Sequence, residues 1–139
     1  MKRVLVFGAF DGLHPGHIDF FKQAKAHGDY LIVSVGRDAN VEKIKKRPAL
    51  FSEGERVELV SSIKDVDEVV LGEKDDYFAG IKKIGPDVIC LGYDQWASEQ
   101  EVLAGLKKVG LGNVEVIRLK PHKQDIAKST NLKKNSVDF

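Results

Sequence analysis

Two histidines three residues apart, His14 and His17, bracket Pro15 and Gly16 in the stretch Gly8-Ala9-Phe10-Asp11-Gly12-Leu13-His14-Pro15-Gly16-His17. Imidazoles at this spacing can both donate to a bound triphosphate and stabilise the charge that builds up when its α-phosphorus is attacked. Neither then needs to be a base. A cation from another segment would complete the clamp, and Lys45 or Lys46, in the basic stretch Glu42 to Arg47, is placed to supply it. The same two residues also read as a turn histidine and an ordinary surface histidine, or as a metal pair with only Asp11 and Asp19 nearby as added ligands. No Gly-x-Gly-x-x-Gly fingerprint and no Walker lysine follows the first apolar run.

The elements that must hold these residues alternate along the chain. Val4-Leu5-Val6-Phe7 predicts a strand buried on both faces, and Ile18, Phe21 and Ala24 recur at helical spacing up to Gly28, expected just past the helix end. A strand, a glycine-containing turn and a helix N-terminus form an anion site, because the first N–H groups of the helix and its positive dipole end face whatever lies above the strand. Tyr30-Leu31-Ile32-Val33-Ser34-Val35 is a second strand ending at Gly36, and the right-handed crossover of a β-α-β unit sets Gly8 and Gly36 on one edge of a parallel sheet. Arg37-Asp38 begins a polar loop, and Glu42 to Arg47, stopped by Pro48, reads as a loop or weak helix. Ser52-Glu53-Gly54-Glu55 has capping-box spacing, with Val57, Val60, Ser61 and Ile63 tracing the buried side of the helix it opens.

Asp67 to Gly72, Asp87 to Gly92 and Asn113 to Leu119 supply three more strands. Between them lie a helix from Asp76 to Ile84, closed by Gly85-Pro86, and one capped by Ser98 and ended by Gly110. The expected architecture is α/β: a single-domain, doubly wound, Rossmann-like five-stranded parallel sheet with helices on both faces, residues 1–139 forming one domain. Ligands of such sheets bind beyond the strand C-termini where the strand order reverses, and the opening motif falls there.

With 22 Lys+Arg against 21 Asp+Glu, the net charge of +1 provides no global field for nucleic acid or an anionic membrane, so phosphate binding must be local. The single Cys90 excludes an internal disulfide framework and reads as a small core residue in a reducing compartment. Met1, Lys2 and Arg3 precede an apolar run too short for a signal peptide or a membrane span, so a cytoplasmic protein is expected.

The stretch from Gly8 to His17 resembles the signature of the cytidylyltransferase-like nucleotidyltransferases, which join a nucleoside monophosphate from ATP or CTP to a phosphate-bearing acceptor and release pyrophosphate. Lys45 and Arg47, Phe51 to Arg56, Val66 to Val69, Pro86 to Val88 and Leu91 to Gln95 are similar to segments of the small branch that contains archaeal-type FAD synthase and glycerol-3-phosphate cytidylyltransferase. The resemblance implies that His14 and His17 hold the triphosphate and stabilise pentavalent phosphorus, with Lys45 adding charge. Ala9, Phe10, Asp11, Pro15 and Gly16 would line the nucleotide through the signature turn, Arg56 would contact phosphate, and Asp94 would lie beside the nucleoside. The C-terminal segment, about 120–139, would close over the nucleotide with His122, Ser129 and Thr130; Tyr93 and Trp96 could stack on a ring.

Lys128 stands where a small hydroxyl residue is usual, and the arginine of the cytidylyltransferase version is missing, which favours ATP over CTP. Leu91 to Gln95 and the helix ending in Lys107-Lys108-Val109-Gly110-Leu111 look more like the FAD synthase branch, with FMN as acceptor, although that branch's C-terminal cysteine pair is absent. Mg2+ or another divalent cation would accompany the triphosphate, and a homodimer is implied by the resemblance alone. Glycerol-3-phosphate cytidylyltransferase, another sugar-phosphate nucleotidyltransferase and a non-catalytic nucleotide-binding regulator remain the alternatives.

Overall fold

Apolar runs without alternation must be covered on both faces, and β1 (Arg3–Gly8) and β2 (Tyr30–Val35) are such strands in a computed structural model whose described residues are 1–73, 76–95 and 97–121. They pair in parallel over their whole length, and Gly36 N–H donates to the Gly8 carbonyl at 2.9 Å, so both glycines lie on one edge as expected. The helices α1 (Pro15–Lys25), α2 (Asp38–Lys45), α3 (Glu53–Ser61), α4 (Tyr77–Ile84) and α5 (Glu99–Lys108) alternate with β3 (Glu68–Leu71), β4 (Val88–Leu91) and β5 (Glu115–Arg118). The five strands form one parallel sheet in the order β3-β2-β1-β4-β5. The order reverses between β1 and β4, which is where ligands bind in such sheets.

Alternate side chains of β1 serve opposite cores, as strand geometry requires. Val4 and Val6 pack with Phe21 and Ala24 of α1 and Val60 of α3, while Leu5 packs with Ile81 of α4 and Val102 and Leu106 of α5. The doubly wound arrangement is therefore present. Cys90 is fully buried in the first core, where burial pushes its thiol up to about 12. No helix among the described residues is long and apolar enough to cross a membrane.

Helix starts follow the sequence closely. Ser52 accepts from Glu55 N–H while the Glu55 carboxylate returns to Ser52 N–H, and Asp76 and Ser98 cap α4 and α5. Gly85 at φ 66° and Gly110 at φ 82° turn the chain after those two helices.

Three local expectations are corrected. The expected polar loop from Arg37 is the start of α2, whose Val41 is buried; the helix stops when Lys46 turns left-handed at φ 59°, two residues before Pro48. α1 ends at Lys25 with Ala26 as its C-cap, so Gly28 is not its C′ residue. A Cβ on Gly28 would lie 2.6 Å from Val4 Cγ2 and 2.8 Å from Lys2 O, so glycine is required there by close approach to β1. On α3 Arg56 is buried along with the expected Val60, whereas Ser61 is exposed.

Among the carboxylates held below their usual range, two owe it chiefly to an arginine. The Arg56 guanidinium does this to Asp38, and the Arg118 guanidinium to Glu99. A depressed folded pKa stabilises above the unfolded value, and that contribution is lost as pH falls through the folded one. The stability difference between wild type and Glu99→Gln should therefore shrink once pH drops beneath the ordinary value of 4.5, as read from thermal melts in a pH series. A difference constant across that range would show that the Glu99 charge contributes nothing.

Candidate functional site

The chain leaves β1 through two left-handed residues, Phe10 at φ 51° and Gly12 at φ 91°. A bulky residue in that region is strained, and Phe10 is held there by burial at 3% exposure against Phe21 and the edge of His17, with ring centroids 5.1 and 5.6 Å away. Pro15 follows at the first helical position, where its missing N–H costs nothing.

His14 is the N-cap of α1, and the two histidines cap the helix reciprocally. Gly16 N–H donates to His14 Nδ1 at 3.1 Å, and His14 N–H donates to His17 Nδ1 at 3.2 Å. An Nδ1 that accepts a backbone N–H carries no proton, so the ring N–H of each histidine is on Nε2. Both rings are thereby fixed in one tautomer, 3.9 Å apart between centroids, and His17 with its Nε2 is buried. The expectation of free backbone N–H groups at this helix start is revised. Pro15 has none, Gly16 N–H goes to the His14 ring, and His17 N–H goes to His14 O at 2.9 Å. The first amides of this helix are therefore engaged within the turn itself.

Ala9, Phe10, Asp11, Pro15 and Gly16 thus lie on one turn with His14 and His17. Asp11 has both carboxylate oxygens engaged by the N–H groups of Leu50 and Phe51. Asp19, the other acid near the pair, accepts from Gln23 within α1. Among the described residues no group of three or more His, Cys, Asp or Glu is arranged to hold a metal ion.

Lys45 is the last residue of α2, half-buried. Arg56 lies beneath the turn and is fully buried. It donates from Nε to Phe51 O, from Nη1 to Ala9 O and Gly36 O, and from Nη2 to Asp38 Oδ1 at 2.7 Å, tying the ends of β1 and β2 to the starts of α2 and α3. This geometry makes it a strut for the floor of the site. Asp94 sits exposed in the turn after β4, across the strand reversal. Trp96, His122, Ser129, Thr130 and the rest of the closing segment beyond 121 lie outside the described residues.

Two positioning residues had no pattern to reveal them. Gln95 accepts Gly92 N–H at 2.7 Å and donates to Phe7 O at 2.8 Å, joining the ends of β4 and β1. Arg118, at the end of β5, grips the same loop through Gly92 O and Gln95 O and pairs with Glu99 at 2.6 Å. A lone glutamine and a strand-terminal arginine carry no periodic signal.

On the sheet face opposite α1, a cavity of about 460 Å³ lies between α4 and the strands β1, β2 and β3. Leu5, Phe7, Val70, Tyr77, Ile81 and Ile84 make it mainly apolar, and it reaches Gly8, Gly36 and Gly72 at the strand C-termini. Phe7 and Tyr77 meet edge to face at 4.9 Å, and burial pushes the Tyr77 hydroxyl pKa up.

The sequence profile of the family described as Cytidylyltransferase-like matches residues 5–135. The chain is 46% identical over 120 residues to the FAD synthase of Ferroglobus placidus, covering 86% of this chain and 77% of that one. It is 43% identical over 139 residues to the FAD synthase of Archaeoglobus profundus, covering 99% and 88%. A crystal structure described as the lipopolysaccharide core biosynthesis protein from Thermoplasma volcanium superposes with a TM-score of 0.84 at 36% identity, covering 88% of this chain and 99% of that one.

Proposed function

The chain belongs to the cytidylyltransferase-like family, and from that premise we propose that it is an FAD synthase that transfers AMP from ATP to the phosphate of FMN and releases pyrophosphate. The observation that carries the reaction type is the reciprocal cap, which holds two imidazoles side by side at a helix N-terminus by the strand reversal, with both Nδ1 atoms used as acceptors and the ring N–H of each on Nε2. A phosphate oxygen of the acceptor attacks the α-phosphorus, the new P–O bond forms, and the bond to the departing diphosphate breaks with its electrons going to pyrophosphate. Donors fixed before the reaction stabilise the charge on the equatorial oxygens without reorganising. The cation of Lys45 adds to them, and Asp94 borders the nucleoside from the far side.

The acceptor choice is supported by the relatives named FAD synthase and by the chemistry of the cavity. Its volume falls in the range of small-molecule sites, and its apolar wall suits the flat ring system of a flavin; glycerol 3-phosphate has no apolar group to fill it. Mg2+ would enter with the triphosphate, held mainly by phosphate oxygens and water as that ion prefers, and a closed protein cage is not needed for it. It would neutralise phosphate charge.

A pyrophosphate assay with ATP and CTP, each against FMN and glycerol 3-phosphate, tests the whole reading. Release is expected with ATP and FMN at a rate at least about tenfold above the other three pairs, the scale of losing one good recognition contact. Release only with CTP and glycerol 3-phosphate would replace it with the cytidylyltransferase reading. ATP binding with no pyrophosphate from any acceptor would point to a regulator.

A further inference from the structure

We propose that Asp11 is a positioning residue: its carboxylate fastens the basic segment between α2 and α3 to the phosphate turn, so that Lys45 is presented to the triphosphate in one place. This rests on the nucleotidyl-transfer reading above. A carboxylate in a turn that receives an anion is electrostatically unfavourable unless its charge is engaged elsewhere. Here it accepts two backbone N–H bonds, from Leu50 at 2.7 Å and Phe51 at 2.9 Å. Charge-assisted bonds of this kind are the strong ones.

Phe51 is gripped from its other side as well. Its carbonyl accepts Arg56 Nε at 3.0 Å, and Arg56 Nη1 donates to Ala9 O at 2.9 Å, so both fastenings lead back to the same turn, Ala9 to Asp11. The other end of the segment is tied by the Arg56–Asp38 pair at 2.7 Å and by Asp38 N–H to Glu53 Oε1 at 2.9 Å. Between these ends the chain carries Lys43, Lys45, Lys46 and Arg47 against the single acid Glu42. It has little core of its own: Val41 is the buried residue of α2, while Ile44 and Leu50 are 52% and 74% exposed. A segment with few buried contacts takes its order from its end fastenings. Asp11 closes the C-terminal end together with Arg56, and it is the fastening that holds the amides of both Leu50 and Phe51.

The test is a double-mutant cycle on the full chain with ATP and FMN, combined with limited trypsin digestion. Asp11→Ala is expected to lower kcat about tenfold or more with a smaller change in KM for ATP, and Asp11→Asn, which keeps one accepting oxygen, to fall between it and wild type. If Asp11 acts through the segment, its effect disappears in the Lys45→Ala background, so the double variant is no slower than Lys45→Ala alone. Cleavage after Lys45 and Lys46 should accelerate in Asp11→Ala, and the Mg2+ concentration for half-maximal rate should stay where it is in wild type.

Multiplying effects in the double variant, a shifted Mg2+ requirement, or lost activity with unchanged trypsin sensitivity would each overturn the proposal by placing Asp11 on the substrate or its metal. If Asp11→Ala fails to fold, the same readings on Asp11→Asn decide the matter. Should wild type release no pyrophosphate with any acceptor, the nucleotidyl-transfer reading fails, and the trypsin comparison still decides whether Asp11 fastens the segment.

Discussion

His14→Ala and His17→Ala are each expected to lower the turnover of ATP with FMN by roughly 10²-fold or more, the scale of losing one preorganised transition-state donor. The reciprocal cap makes the variants less simple than they look. His14→Ala also removes the acceptor for Gly16 N–H, and losing an N-cap costs about 1 kcal/mol of stability. His14→Asn separates the two roles. An asparagine oxygen takes the place of Nδ1 and is a good cap, but no N–H remains at the far end of the side chain where Nε2 was. The expectation is a melting temperature close to wild type with turnover as low as in His14→Ala. Wild-type turnover in both His14→Asn and His17→Ala, measured as pyrophosphate release, would defeat the assignment of these rings as donors.

The largest expected loss of stability comes from Arg56. Its side chain is fully buried, and removing it leaves the carbonyls of Ala9, Gly36 and Phe51 and the carboxylate of Asp38 without the guanidinium they share. Each buried acceptor left unmet costs about 1–3 kcal/mol. Arg56→Ala is therefore expected to destabilise by about 3 kcal/mol or more, a drop in Tm on the order of 10 °C for a chain of this size. Arg56→Lys should recover little, since an ammonium point charge cannot reproduce the planar fork that reaches four acceptors at four places in the chain. Denaturant melts decide between this and a direct phosphate contact: full stability with lost nucleotide affinity would return Arg56 to the substrate.

The strands and helix caps were legible because their causes are local. Unbroken apolar runs, Ser or Asp before a helix and Gly after it state their structure within a few residues. What was hidden depended on residues distant in the chain. Arg56 occupies the core-facing position of α3, in the helical series with Val60 and Ile63, but its charge and the family resemblance argued for a phosphate contact; the carbonyls of two strand ends and a loop, with Asp38, make its burial tolerable. Asp11 read as part of a nucleotide turn because its partners, the amides of Leu50 and Phe51, carry no side-chain signal. Gly28 looked like a helix terminator when its true constraint is the strand beneath it. In α2 the cations and Pro48 masked Val41 and Ile44, an i, i+3 pair too short to register as a period.

The strand order has an evolutionary consequence. Since β1 stands between β2 and β4, residues 30–71 build one flank of the sheet and residues 88–118 the other, and the apolar cavity takes its lining from both, with Val70 and Ile81 from before β4 and Leu91, Gln95 and Ala97 from β4 and the loop after it. Two consecutive blocks of sequence thus furnish one shared wall, so neither can be exchanged as a cassette without refitting the other.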